Sequence, residues 1–415
     1  MASLEAEQER YHTLLGFLQE HGVPCAACDP CNCGNSCANS LQPLSGDASL
    51  RRYYRLRVTK PCFDKLCAQH NITPVFGATE GPWRYLGTII VVDAPPATQK
   101  NREFVAINRM LRHCGILVPT IICADVAQGF MVLEDLGHTL FADAFPGPRR
   151  LAYYYRALVE LTKIGAMPRT QAEQAALNDR RTQASTEQAV LLPCYELDEQ
   201  DFAYYQQQVP PFDAAFIAFE LSIFTEWLLD KTLHLTLTES EQAMLERTFA
   251  FLTQECLAQP QGAMHRDFHC RNLMVTPEQV DNPIQMRLAV IDYQDLVKGP
   301  LGYDLASLLY DCYSKLPEAE RHGLLNFAYE TYCAAGRLDP AQYTLADLER
   351  MVRICALQRH IKVLGIFNRL NLRDGKPGYL KDLPLTLEYV LANCDYFPEM
   401  AEFKAFLQRH VVGKI

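Results

Sequence analysis

The sequence predicts an α+β chain with a small, mainly β N-terminal lobe over residues 1–136 and a larger, mainly α lobe over residues 137–415. Three observations carry this. Short apolar runs rich in β-branched residues, with one amphipathic stretch between them, cluster before residue 136. From about residue 150 onward the apolar residues recur at helical spacing instead. The length of 415 residues allows two domains, each with its own core.

In chain order, Tyr11, Leu14, Leu15 and Leu18 predict a first helix over 4–21. A cysteine-rich insertion follows at 25–40. "LSGDASLRRYYRLRV" has a Gly-Asp turn and then alternating Tyr, Leu and Val, the pattern of a hairpin. Residues 60–84, with Pro, Gly and Asn, read as a long loop or a short inserted element. "YLGTIIVVDAPP" is a buried strand stopped by two prolines. Residues 101–114 form a helix, and "GFMVLEDLG" is a further strand. Helices are expected over 151–166, 212–232, 240–258, 303–314, 319–335, 345–370 and 399–410. The exception among them is a hairpin made by "RNLMV" and "RLAVIDY", carried on the helical lobe.

Composition narrows the function. Apolar residues make up 49% and charged residues 21%, an ordinary globular balance, and the net charge of −10 gives nucleic-acid binding no electrostatic support. The first residues are acidic and polar where a signal peptide is basic and then apolar. No run reaches the roughly 18 apolar residues that span a membrane, so the expected location is the cytoplasm. No protein partner is implied. Most of the 16 cysteines stand singly in apolar segments and read as reduced, buried side chains. Cys25, Cys28, Cys31, Cys33 and Cys37 form the one cluster. It lacks histidine and a second paired knuckle, and is read as a surface insertion rather than a metal site.

The chemistry lies in "MHRDFHCRNLMV". Asp267 and Asn272 stand in a D-x-x-x-x-N arrangement, and Asp292 follows 20 residues later at the end of the apolar run "LAVID". Phosphoryl transfer needs a carboxylate to accept the attacking hydroxyl's proton and hard oxygen ligands for a metal ion. Asp267 fits the first need; Asn272 and Asp292 fit the second. Asp295 is read as either a further metal contact or a loop residue. Asp304 is read as a helix N-cap or a brace for the catalytic loop, and His265 and His269 as hydrogen-bonding residues of that loop.

In the small lobe, the turn Ser45, Gly46, Asp47, Ala48 and Ser49 lets backbone N–H groups approach phosphate oxygens. Arg51 and Arg52 are adjacent on a strand, so only one can face a nucleotide. The backbone of "VLEDLG", at Glu134 and Leu136, would meet an adenine edge. There is no G-x-G-x-x-G, and Asp93 stands near where a phosphate-binding lysine is expected; Arg51, Arg52 and Lys100 are the alternative cations.

The catalytic loop, "IDYQD" and "GPLGYDLASLLYD" resemble the aminoglycoside phosphotransferase and choline kinase superfamily. More closely, "PLSGDASLRRYYRL", "VVDAPP", "FELSIFTEWLL" and "LQRHIKVLGIFNRLNLRDGKPGYLKDLP" resemble the bacterial anomeric N-acetylmuramate/N-acetylglucosamine kinases, over most of residues 43–385. That family also lacks the strand lysine. The resemblance implies a protein-kinase-like two-lobed fold, ATP and Mg²⁺ as cofactors, and phosphorylation of the C1 hydroxyl of an amino sugar. It implies Asp267 as the base, with Asn272 and Asp292 as metal ligands. A sugar pocket would then come from the helical lobe. Glu220 and Trp227, seven residues apart, are expected on one helix face, the carboxylate for sugar hydroxyls and the ring for an apolar sugar face. Arg359, Lys362 and Arg369 lie opposite the apolar side of their helix. They are read as a solvated face from which a cation such as Lys362 or Arg369 reaches the muramate carboxylate. An aminoglycoside or choline-like phosphotransferase and a non-catalytic nucleotide-binding protein are the alternatives.

Overall fold

A computed structural model describes residues 2–23, 41–44, 51–72, 87–167, 171–183, 199–275 and 288–415. The turn with Ser45, Gly46, Asp47 and Ser49 and the cysteine cluster 25–37 lie outside the described residues. The chain divides into two units. The first comprises Met1–Arg109, Leu117–Thr139 and Met274–Gln294; the second comprises Met110–Ile116, Leu140–Leu273 and Asp295–Ile415.

The first unit is built on an antiparallel sheet of β1 (Gln42–Leu44), β2 (Arg52–Arg57), β3 (Thr88–Asp93), β4 (Ile121–Asp125) and β5 (Phe130–Glu134), in the order β1-β2-β3-β5-β4. The β-branched run "TIIVVD" takes a central place as β3, where Ile89, Val91 and Val92 are fully buried. The helices Ala2–Glu20 and Lys60–Gln69 cover one face, and Leu14, Phe17, Leu18, Phe63 and Leu66 pack with Leu56, Ile89, Val91 and Val132 into one core. Within the stretch read as a loop or a short inserted element, Lys60–Gln69 is a helix; Thr59 caps it and Pro61 enters its first turn. β4 was not anticipated, because its apolar run is short and interrupted by a bulge between Ile121 and Cys123.

The second unit is helical around Leu345–Leu372, a 28-residue helix opened by a capping box between Thr344 and Asp347. The expected helices are present at Arg150–Gly165, Ala214–Ile223, Glu239–Ala258, Gly302–Leu309, Glu318–Ala334 and Ala401–His410. Three more, at Gln171–Gln183, Glu199–Gln207 and Leu383–Cys394, escaped the apolar periodicity. The helix after Asp213 changes pitch at Phe224 and runs as a π-helix to Thr232, with Leu233 N–H donating to the Leu228 carbonyl. Leu345–Leu372 crosses it closely: a Cβ on Gly365 would lie 2.3 Å from the Ile223 carbonyl oxygen. Within this unit β6 (Gln261–Met264) pairs antiparallel with a later strand, Val297–Pro300, and β6 delivers the chain into the loop that starts at His265. The expected pair of short strands is present as β7 (Leu273–Val275) with β8 (Leu288–Val290), but from Met274 on it falls in the first unit, not on the helical one as expected; β9 is Val297–Pro300. Among the described residues no helix is long and apolar enough to cross a membrane.

Candidate active site

The loop 265–272 owes its shape to carboxylates from elsewhere in the second unit. Arg266 sits at φ 78°, a left-handed conformation that costs a non-glycine residue about 1–2 kcal/mol. Its neighbours over-determine it. The buried Asp304 carboxylate accepts from the His265 N–H at 2.6 Å and the Arg266 N–H at 2.9 Å. Arg359 donates to the Arg266 carbonyl at 2.8 Å, and the Arg266 side chain reaches Glu220 at 2.7 Å. Asp304 is therefore a brace placed inside the helix Gly302–Leu309, not its N-cap. A second brace, Asp311, accepts from the Cys270 N–H at 2.9 Å and from the Tyr313 N–H at 2.8 Å. His269 stands edge-on to Tyr313 with ring centroids 5.2 Å apart.

Asp267 follows the left-handed residue, and its side chain is 39% exposed. Its Oδ1 accepts from Arg359 Nη1 at 3.0 Å, and that guanidinium is itself buried. Burial by itself would raise the Asp267 carboxyl. The nearby charges of Arg359, Lys362, His269 and Arg266 outweigh it and hold the group well below the usual carboxylate range. Asp267 is thus ionised at any working pH. Asn272 turns back on the same loop, its Nδ2 donating to the Asp267 carbonyl at 2.9 Å. The amide oxygen is then the atom it offers to a cation.

Behind the loop lies a network that the sequence did not reveal. Glu220 is 2% exposed and accepts from Arg266 Nη2 at 2.7 Å, Gln358 Nε2 at 3.0 Å and Lys362 Nζ at 3.1 Å. Lys362 also reaches the Tyr303 hydroxyl at 3.1 Å. Burial pushes Glu220 up, but Lys362 and Arg266 reverse that and leave it below its ordinary value. Burial pulls Lys362 down despite Glu220 and Asp267. Arg359 and Lys362 are buried, at 4% and 3% exposure, so the solvated face expected for them is overturned. Their charges are compensated by carboxylates far away in sequence, which periodicity cannot register. Arg369, further along the same helix, is half-buried.

Glu220 and Trp227 do not share surroundings either. The π-helix adds a residue to the turn between them, which removes the two-turn spacing on which a common face depends. Trp227 is half-buried, with Lys231 Nζ 4.1 Å above its ring.

In the first unit, strand alternation separates the two adjacent arginines. Arg51 is buried, with its guanidinium 4.6 Å over the Phe104 ring, whereas the exposed Arg52 pairs with Glu7 at 2.7 Å. Tyr53 is raised by burial, against the pull of its hydrogen bond from Arg51, and also feels the Asp292 carboxylate. Asp93, at the strand position where a phosphate-binding lysine is expected, accepts from Arg10 at 2.6 Å. Asp135 takes Arg55 in a two-pronged pair at 2.6 and 3.1 Å and accepts from the Gly137 N–H at 2.9 Å. That pairing fixes the segment from Glu134 through Leu136, whose side chain packs with Leu117 and Ala289. Lys100 and Arg102 are exposed. Asp292 is exposed and left-handed, at φ 63°, with Oδ1 accepting from Gln294.

A carboxylate kept ionised on a braced loop, with hard oxygen donors to follow, is the equipment of a phosphoryl-transfer enzyme. Residues 40–338 match the phosphotransferase enzyme family, and the chain belongs to it. It is similar to the N-acetylmuramate/N-acetylglucosamine kinase of Pseudomonas putida, with 30% identity over 366 residues covering 88% of this chain and 86% of that one. The enzyme of the same name from Pseudomonas aeruginosa is 30% identical over 370 residues, covering 88% and 87% of the two chains. That of Neisseria meningitidis is 30% identical over 321 residues, covering 77% and 83%. Among solved structures the chain is similar to an ethanolamine kinase of Plasmodium vivax, 10% identical, with a TM-score of 0.49 over 86% of this chain and 83% of that one.

Proposed function

We propose that this chain is a cytoplasmic, ATP-dependent kinase for the anomeric hydroxyl of N-acetylmuramate, N-acetylglucosamine or both, releasing the sugar 1-phosphate for nucleotide-sugar synthesis in cell-wall recycling. The observation that carries it is the ionised Asp267 with Oδ1 tied to the buried Arg359. The name shared by the relatives supplies the acceptor.

In this reading Asp267 accepts a hydrogen bond from the C1 hydroxyl and aims its oxygen at the γ-phosphate. So acidic a carboxylate is a poor base. That suits a loose transition state, in which positioning matters more than early proton removal. Arg359 keeps the carboxylate in one orientation. Glu220 and Lys362 are positioning residues, acting through Arg266 on the loop rather than on the sugar. Trp227 and Arg369 are the proposed sugar contacts, the cation for the lactyl carboxylate. Asn272 and Asp292 fit Mg²⁺ because they offer an amide oxygen and a carboxylate, the hard donors it takes. When bound, the ion neutralises charge on the transferring phosphates. For the nucleotide, the proposed contacts are Arg51 on the phosphates and the Ser45, Gly46, Asp47 and Ser49 turn over them, with the Glu134 and Leu136 backbone at the adenine edge. Arg52, paired with Glu7, is the weaker choice of the two arginines.

Asp267→Asn tests this. The expected result is a loss of amino-sugar-dependent ADP release of about 10²- to 10⁴-fold with ATP binding intact. A variant that retains full activity would remove Asp267 from the chemistry.

A further inference from the structure

Far along the chain from the catalytic loop, the first unit gathers three side chains with the chemistry of a metal site. One ring nitrogen of His21, one of His70 and the sulfur of Cys123 lie within 4.8 Å of one another. The two imidazoles have centroids 5.3 Å apart. We propose that His21, His70 and Cys123 bind a zinc-class divalent cation, with water completing a tetrahedral set.

Each residue is delivered by a different element, and each for a local reason. His21 ends the 19-residue helix Ala2–Glu20, and His70 caps the 10-residue helix Lys60–Gln69. The two helix ends approach so closely that a Cβ on Gly22, at φ 69°, would stand 2.6 Å from the Gln69 side chain. Cys123 lies at the bulge of β4, a distortion that re-aims a side chain out of the regular ladder. Two histidines and a thiolate are borderline-soft donors, the set preferred by zinc over magnesium or calcium. In tetrahedral zinc sites the ligand atoms stand about 3.3–3.8 Å apart, so binding would draw these three donors about 1 Å closer together.

Two further features favour a cation. His70 Nε2 lies 3.2 Å from the His21 carbonyl oxygen, which can only accept. The Nε2 atom therefore carries the proton, and Nδ1 is left as the lone-pair donor. Histidine ligands of metals are commonly oriented through such a carbonyl contact. In addition, two helix C-termini, the negative ends of their macrodipoles, point at the same place. The site sits at the rim of the core formed by Phe17, Leu18, Val23, Cys67 and Ile122, so a bound ion would staple both helices to the sheet.

The full-length protein, stripped with a chelator, is titrated with zinc and then with cobalt, alongside His70→Gln and Cys123→Ala. The five cysteines of residues 25–37 remain in every protein, so only differences between them count. The wild type should hold one equivalent more than either variant. Its cobalt form should show a thiolate charge-transfer band that Cys123→Ala lacks, and zinc should raise its melting temperature but not theirs. Should Cys123→Ala fail to fold, His70→Gln decides alone, with ADP release as the check that it is intact. Equal metal content, spectra and thermal shifts in wild type and variants would overturn the proposal, as would a wild type that takes up no metal.

Discussion

Replacing Glu220 with glutamine removes the carboxylate that pairs directly with both Arg266 and Lys362 and is itself only 2% exposed. Stranding a buried charge by deleting its partner costs about 3–5 kcal/mol. Glutamine keeps one acceptor for Arg266 or Gln358, and Lys362, already pulled down by burial, can shed its proton. The expected loss is therefore near the lower end, about 3 kcal/mol, seen as a melting temperature lower by about 3–6 °C. The pH dependence has a definite sign. A lysine whose folded pKa falls further below its unfolded value makes the unfolded state bind more protons, so the variant's deficit shrinks as pH rises towards the ordinary lysine range. Urea unfolding at pH 6 and pH 9 measures both effects. Adding Lys362→Met should recover part of the loss, because an apolar side chain of similar volume replaces the buried lysine left without its carboxylate partner. With Arg266 loosened beside Asp267, kcat should fall by about 100-fold. A Glu220→Gln variant within about 0.5 kcal/mol of wild type at both pH values would mean that Glu220 does not hold the two buried cations.

Arg359→Leu removes the charge that most lowers the Asp267 carboxyl, so loss of kcat/KM at low pH should set in at a higher pH in the variant than in the wild type; profiles that coincide at low pH mean the arginine does not tune it. Asp304→Asn weakens the two backbone hydrogen bonds that hold His265 and Arg266, and should cost about 1.5–3 kcal/mol in urea unfolding together with most of the activity. Gly365→Ala drives a methyl to within 2.3 Å of the Ile223 carbonyl oxygen and 2.6 Å of the Phe224 nitrogen. Neither backbone atom can move aside without shifting the helix, so a loss of about 1–3 kcal/mol is expected in the same assay.

What the sequence made legible was local. The order Asp267, Asn272, Asp292 was readable because loop motifs keep their spacing whatever surrounds them. Asp304 as a brace was also within reach, since it stands just after β9. The network around Glu220 was not. Its partners Gln358 and Lys362 lie 138 and 142 residues away, and a buried charged helix face has the same periodicity as a solvated one. The π-helix at Phe224–Thr232 has no compositional mark, so the face expected to join Glu220 to Trp227 dissolved with the change of pitch. Asp311 closes the "GPLGYDLASLLYD" stretch with no local sign of its role, because the loop N–H it holds, that of Cys270, is 41 positions away.

The most direct measurement is phosphorus NMR of the product made with Mg·ATP from N-acetylmuramate, N-acetylglucosamine, glucose, choline and kanamycin, with Asp267→Asn as control. The amino sugars alone should react, their product should be an anomeric 1-phosphate, and the control should be silent. Inert amino sugars with turnover of choline or kanamycin, or phosphate at another sugar position, would contradict the proposed function.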